Sequence, residues 1–409
     1  MFVRPVLGAV AGSLFATGSA ALELTVMPEF DLGSRATNNV LFTESDTQDA
    51  LGFNTGGRMA VTAESALYRS SISPSVNFQR FAVGDDLDAD EFGVRSQHQW
   101  QATEAITGTL QADYTQDSTL SNELTDAGRR NSVGNRNTLN LAPGLVYAFD
   151  ALTQLNASFS HTDITTDTPS SEGLEGYTYQ VASVGVSRLI SSELQGFATG
   201  FANWFDVPSQ RSGTVTYGMQ TGLVWQFDAH TRLELGAGYL TSDVDYVDLV
   251  PALIFNPSPQ IILLEQARQT ETGGPIASFG LTHQFERTRV DFRFSRQVSP
   301  TLRGSQSLTD SLTWQLTYDW SEELSLSVSA DYAMVSAQTD VLQQAANDLN
   351  RDQFNVSGAV SYQLTQNLRL RGEYRYQTSE NGSSRATADG HNVALSLNYQ
   401  FERFVLGLW

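Results

Sequence analysis

The sequence contains no cysteine and no lysine, so all 24 of its basic residues are arginine. The absence of cysteine excludes a disulfide framework, a thiolate metal site and a cysteine nucleophile. Acidic residues outnumber basic ones by 45 to 24, which gives a net charge of −21 at pH 7. Such a charge argues against nucleic acid as a partner, because nucleic-acid binding needs a basic face. No motif for a cofactor is present, and we expect none.

Long hydrophobic runs are also absent. No stretch after the N-terminus has 18 uninterrupted apolar residues, so no transmembrane helix is predicted. The N-terminus itself has Arg4, a short apolar segment at 6–17 and the small residues of 18–21, which together are typical of a secretory signal peptide. We predict that residues 1–21 are cleaved after export. The exported chain can then span a bilayer only with strands.

Strict alternation is the strongest pattern in the sequence. In the segment 392–401 the apolar side chains lie two residues apart and small polar ones stand between them; the apolar members are Val393, Leu395, Leu397, Tyr399 and Phe401. One apolar face and one small polar face indicate a strand between lipid and a wet lumen. Similar runs at 231–239, 308–320 and 323–336 are nine residues or longer. This length suffices to cross a bilayer in a tilted strand.

Aromatic residues precede short turns at intervals of about 35 to 60 residues, the span of a membrane hairpin with one outer loop. They predict an aromatic girdle made of Trp100, Tyr147, Phe149, Trp225, Phe227, Tyr318, Trp320, Tyr399 and Phe401. The predicted fold is all-β: a transmembrane antiparallel up-and-down β-barrel of about 18 strands, or 16 if the first segment is unpaired. We assign residues 22–401 to the barrel. Residues 402–409 form either a short tail or an extra pairing segment.

One predicted outer loop is unusually apolar. It spans 247–267 and contains Leu249–Phe255 and Ile261–Leu264. An exposed apolar loop reduces solubility. We therefore expect this loop either to pack against its neighbours at the outer rim or to fold into the lumen as a constriction.

The acidic stretch of Asp86, Asp88 and Asp90 has the spacing that begins a calcium loop. An EF-hand requires glycine at its sixth position and glutamate at its twelfth, where this chain has Glu91 and Gln97. We predict a solvated acidic loop, with a weak divalent site that bridges lipopolysaccharide as the alternative. No metal site is predicted elsewhere.

Ser158, Ser160, His161 and Asp163 contain the residue types of a hydrolase site. Neighbours in a strand point to opposite faces, however, and closeness in sequence does not supply the hydrogen-bonded geometry that a nucleophile needs. We predict that the protein is not an enzyme. A barrel-embedded hydrolase is kept as an alternative.

Arginines recur on one face of two strands, where they oppose apolar residues; they are Arg289, Arg293, Arg369, Arg371 and Arg375. An arginine at the lipid midplane costs about 2–4 kcal/mol, so several on one strand must face the lumen. Two hypotheses follow. The arginines either pair with carboxylates and stiffen the wall, or form a basic strip that guides anionic solutes.

The segments Met27–Leu32 and Asn38–Phe42, followed by acidic residues and by the long strand Tyr68–Phe81, resemble the β-barrel porins of Gram-negative bacteria that often accompany exopolysaccharide biosynthesis. The resemblance covers about a fifth of the chain, and the family offers no catalytic residues to transfer. It implies an outer-membrane barrel with a part in polysaccharide export.

The expected function is therefore that of an outer-membrane channel, either an exopolysaccharide exit pore or a passage for small anionic solutes. The second alternative, besides the hydrolase, is a scaffold or surface-binding barrel with a closed lumen. The expected partners are outer-membrane lipid, lipopolysaccharide, the barrel-assembly machinery and polysaccharide export proteins.

Overall fold

A computed structural model of the chain describes residues 22–82, 87–118, 134–167, 176–208, 212–255, 259–300, 306–337, 350–382 and 385–408. The predicted signal peptide and Asp86 lie outside these ranges. No described residue lies in a helix with the length and hydropathy that crossing a bilayer requires. The strands are β1 (Leu22–Thr37), β2 (Ala50–Glu64), β3 (Tyr68–Phe81), β4 (Ala89–Gln101), β5 (Ile106–Ser118), β6 (Asn135–Ala148), β7 (Thr153–Thr166), β8 (Tyr177–Leu189), β9 (Leu194–Val207), β10 (Ser212–Gln226), β11 (Thr231–Phe255), β12 (Pro259–Gln284), β13 (Thr288–Pro300), β14 (Gln306–Asp319), β15 (Leu324–Ala337), β16 (Arg351–Thr365), β17 (Leu368–Asn381), β18 (Thr387–Gln400) and β19 (Phe404–Leu408).

These strands form one closed barrel. Each strand from β2 to β17 pairs antiparallel with its two neighbours in sequence, and β1 closes the ring by pairing with β2 on one side and with β18 and β19 on the other. Because β18 and β19 lie end to end against β1, they occupy one strand position in the barrel wall. The 19 strands therefore form an 18-stranded barrel. The predicted all-β, up-and-down antiparallel barrel of about 18 strands is confirmed. A barrel of this size is wide enough to enclose an aqueous lumen.

The two faces of the strands differ as the alternation predicts. Large apolar side chains project outward and are exposed in this isolated chain, for example Met219 at 63%, Leu395 at 52% and Val393 at 55%. Their neighbours in sequence point to the lumen and are mostly serine, threonine, glutamine and arginine. We call the end with the tight turns the turn end, and the opposite end the loop end.

The closing seam contains a one-residue irregularity. In the pairing of β1 with β18, Glu29 is opposite Gln400, whereas in the pairing with β19, Val26 is opposite Phe404. Two residues of β1 therefore face three residues, 401–403, of the other segment, which is a β-bulge. The bulge shifts the alternation by one, so that Phe404 and Leu406 share the outward side with Phe401. Residues 404–408 thus form a paired strand that continues the line of β18 along β1.

The apolar segment 247–267 differs from its prediction. It was expected to be an outer loop, but β11 and β12 pair continuously from Thr231–His283 to Phe255–Pro259. Valine, isoleucine, leucine and phenylalanine favour extended backbone, so the two-stranded ladder continues through the predicted loop. Strand β10 accompanies β11 only to Asp245, and β13 accompanies β12 only from Ala277. The hairpin therefore extends beyond both neighbours at the loop end.

Candidate functional site in the lumen

The lumen faces of β13 to β17 form what we call the arginine wall. On β13, Arg289 donates from Nε to Asp291 Oδ2 at 2.7 Å, and Thr282 of the neighbouring strand donates to Asp291 Oδ1 at 2.7 Å. Arg293 lies one pleat further along, opposite Gly280 and Thr313. Within the described part of the chain, Arg293 makes no ion pair. One carboxylate thus neutralises one of the two arginines on the lumen face of β13.

The lumen face of β17 also has fewer carboxylates than arginines. Glu373 accepts from Arg371 Nη2 at 2.9 Å and from Arg375 Nη2 at 2.8 Å. Arg369 donates to the neutral Oε1 of Gln363 at 2.9 Å. Three of the five predicted arginines therefore contact the two carboxylates Asp291 and Glu373. Asp319 and Asp331 also lie on the lumen face of this wall, so arginines still outnumber carboxylates there.

Small hydroxyl side chains cover the wall between the two arginine strands. Thr313 and Thr317 line it on β14, Ser327 on β15 and Ser361 on β16, and Ser329 is hydrogen-bonded to Ser357 at 2.8 Å. Near the turn end the charge becomes balanced, because a recess of 730 Å³ is lined by Arg287, Arg369 and Arg371 together with Asp319, Glu322 and Glu323. Arg293 and Arg375, which do not line this recess, lie further inside the lumen.

A second part of the lumen is aromatic. The lumen faces of β8 to β10 form the aromatic wall, in which Phe197 and Phe201 lie directly opposite Gly222 and Gly218 of the next strand. A Cβ atom at Gly218 would lie 2.7 Å from Phe201 Cζ, and one at Gly222 would lie 2.5 Å from Phe197 Cζ. The rings therefore rest on the space that the glycines leave. Further toward the loop end, Ile164, Tyr177, Phe205 and Val207 form a buried apolar cluster.

The β1–β2 connection also enters the lumen at the loop end. Asn39 fixes it by donating to the backbone oxygens of Thr43 at 2.8 Å and Asp389 at 2.9 Å. The buried ring of Phe42 lies on the lumen side of β18, where a Cβ at Gly390 would be 3.4 Å away. Among the described segments, residues 38–42 thus supply an inward-turned apolar element, the role considered above for 247–267.

Sequence reasoning missed three features of the lumen. They are the inward aromatic rings, the inward-turned segment 38–42, and Arg35, whose guanidinium lies 5.5 Å from the ring centre of Phe81. A usable signal existed for the rings, because Phe197 and Phe201 share the four-residue spacing of Gly218 and Gly222. The register between β9 and β10 was needed to connect the two spacings.

The predicted girdle residues lie on the outward face near the turn end. The pairs contact each other ring to ring, with centroid distances of 4.8 Å for Tyr147–Phe149, 4.0 Å for Trp225–Phe227, 6.0 Å for Tyr318–Trp320 and 4.8 Å for Tyr399–Phe401. Trp100 covers Gly108 of the adjacent strand. Aromatic rings at this level suit a membrane–water interface.

The other candidate residues are not brought together into a reactive site. Ser158 faces the lumen, where it is hydrogen-bonded to Ser183 at 2.7 Å, whereas His161 lies on the opposite face beside Gln180 at 3.2 Å. Asp90 pairs with Arg80 at 2.6 Å, and Asp88 lies 3.6 Å from the same guanidinium. No cluster of metal-ligating side chains occurs among the described residues.

No protein-family model and no curated protein matches the chain. Among solved structures, OpdL of Pseudomonas aeruginosa is 10% identical, with a TM-score of 0.45 and coverage of 96% of this chain and 100% of the other. OccAB4 of Acinetobacter baumannii is 10% identical, with a TM-score of 0.47 and coverage of 95% and 99%. The ferric-catecholate import receptor Fiu of E. coli K12 is 7% identical, with a TM-score of 0.47 and coverage of 94% and 82%. These similarities give no information on a solute or a partner.

Proposed function

We propose that the chain is a channel of a bacterial outer membrane and that its lumen passes anionic solutes. The observation that carries the proposal is the division of one closed barrel into an apolar outside and a polar inside with surplus arginine. The outside suits lipid, and a barrel of this strand number leaves room for water. Local positive charge then attracts anions in spite of the acidic chain as a whole.

The proposal also includes how the chain reaches the membrane and which partners it meets there. Export would require removal of residues 1–21, insertion would use the barrel-assembly machinery, and the outer leaflet would supply lipopolysaccharide. If the solute is an exopolysaccharide, polysaccharide export proteins would deliver it to the turn end. A hydrolase is disfavoured because Ser158 and His161 lie on opposite faces of β7.

The test is electrical. Purified folded protein is inserted into a planar bilayer, and the reversal potential is measured across a potassium chloride gradient. We expect discrete conductance steps with anion selectivity, and heat-denatured protein is the control for contaminating pores. Folded protein that conducts no current would overturn the channel proposal and favour a closed-lumen scaffold, whereas cation selectivity would overturn only the part concerning anions.

A further inference from the structure

A recess of 270 Å³ opens on the lumen side between the aromatic wall and the arginine wall. Its apolar lining comes from Tyr179, Phe201, Leu240 and Ile276, which belong to four different strands. Ligand sites are generally concave and mostly apolar, with a few placed polar groups, and drug-sized ligands need about 300–1,000 Å³. This recess is smaller, which suits a single ring.

The polar lining of the recess includes neutral side chains and Arg296, which is paired with Asp310. Asn203 lines it and is only 7% exposed, yet its Oδ1 atom has no hydrogen-bond partner among the described residues. Gln220 commits its amide nitrogen to Ser278 Oγ at 2.8 Å, which leaves its oxygen as an acceptor. A buried acceptor without a partner is unfavourable, so a ligand that brings a donor gains affinity. Hydroxyl groups on the ligand would supply such donors.

The recess continues into a second one of 540 Å³, with which it shares Ser278 and Ser295. Arg293, two residues from Ser295 on β13, lines that second recess together with Glu234. Two residues of a strand cover about 6.6 Å, a distance that an arginine side chain can bridge. A cation without an ion pair thus lies beside an apolar recess that contains hydrogen-bond acceptors.

We propose that the recess and Arg293 together bind one sugar unit that carries a carboxylate. The apolar face of a pyranose ring would pack on Phe201, its hydroxyl groups would donate to Asn203 Oδ1 and Gln220, and its carboxylate would pair with Arg293. A fatty or aromatic acid lacks the hydroxyl donors, and a neutral sugar lacks the charge. This inference rests on the proposed function, because it names the solute class for the same lumen.

The experiment measures block of the ion current by glucuronate, with glucose and acetate as partial probes. We expect glucuronate to block at a concentration at least about tenfold lower than either probe, which corresponds to about 1.4 kcal/mol. Phe201→Ala and Arg293→Ser should each raise its half-blocking concentration by about tenfold. Phe197→Ala is the matched control: it removes a ring from the same face of β9 but does not line the recess, so we expect a change of less than about twofold.

Three results would contradict the proposal. Equal block by acetate and glucuronate would indicate an anion site only, and equal block by glucose and glucuronate would remove Arg293 from the site. Equal loss in Phe197→Ala and Phe201→Ala would show a general effect of the wall. Calorimetric titration of glucuronate into detergent-solubilised protein tests the site without a current, so failure of the channel and failure of the site remain distinguishable.

Discussion

The arginine wall and the aromatic wall cover the lumen face of the same barrel with opposite kinds of side chain. On the arginine wall, the arginines of β13 and β17 flank strands whose lumen faces carry serine and threonine. Asp291 and Glu373 hold the arginine side chains in place. On the aromatic wall, rings lie flat on glycines. Both walls have the same apolar exterior. The comparison teaches that the outward half of the alternation is apolar beside both walls, whereas the inward half varies in chemistry around one barrel.

The largest effect should come from filling the space under a ring. Gly222→Val places a side chain against Phe197 and the backbone oxygen of Leu235, and only the ring can move aside. Overpacking costs about 1–3 kcal/mol in ordinary cores, and we expect at least that here. The readout is the fraction of heat-modifiable folded protein and the urea midpoint.

Gly372→Val on β17 is its matched control. A Cβ at Gly372 would meet no atom within 4 Å, and valine favours strands. We expect this variant to fold as well as the unmodified protein. Equal destabilisation by both variants would show that the glycines are not distinguished by the rings above them.

The second effect concerns the charge of the arginine wall. Replacing Arg293 and Arg375 by serine removes two of the five arginines, so the reversal potential should move toward cation selectivity. The shift should be several-fold in permeability ratio at 0.1 M salt, where the Debye length is about 10 Å, and smaller at 1 M, where it is about 3 Å. Unchanged selectivity in folded protein would reduce the arginines to a structural role.

A weaker and opposite effect is expected from Glu373→Gln. The substitution keeps the shape of the side chain but releases Arg371 and Arg375 from their shared carboxylate. Anion selectivity should rise, by less than the double arginine variant lowers it. Glu322→Gln, at the mouth where charges balance, is the control. A drop in anion selectivity would mean that the released arginines have left the lumen.

The smallest expected effect concerns the turns at the ends of the two walls, which differ in the group that accepts the turn hydrogen bonds. In the turn between β10 and β11, backbone N–H groups of His230 and Thr231 donate to the Asp228 carboxylate and hold its pKa below the usual value of 3.8. In the turn between β14 and β15, the Ser321 hydroxyl accepts the equivalent bond from Leu324 at 3.1 Å. The acceptor in the first turn is a titratable carboxylate, whereas the acceptor in the second turn is a hydroxyl.

Because the pKa of Asp228 is lowered in the folded state, its stabilisation is present above the unfolded pKa and is lost as pH falls through the folded one. Urea midpoints measured from about pH 6 to pH 2 should therefore decline slightly less in Asp228→Asn than in the unmodified protein. The Ser321→Ala variant should lower the midpoint by the same amount at every pH. A pH-dependent loss in Ser321→Ala would contradict this assignment.

The parts of the fold that could be predicted from the sequence are those in which apolar and polar residues alternate clearly. Val393, Leu395 and Tyr399 contrast with polar neighbours, so strand type, length and face could be inferred from a single segment. On β9 the neighbours of Phe197 and Phe201 are Ala198, Gly200 and Ala202, which carry no polar signal, so the face depended on the register with β10. The inward course of residues 38–42 depended on contacts with Asp389 and Gly390, more than 300 positions away in sequence.

The bulge at 401–403 determines which substitutions along β18 and β19 change the outer face of the barrel. Odd-numbered positions face outward before the bulge, and even-numbered positions face outward after it. Deleting one of its three residues would restore a continuous ladder in which Phe404 and Leu406 keep Val26 and Leu24 as partners and stay on the outer side. The residue without a partner therefore changes which sequence positions face outward but leaves the partners of the following residues unchanged.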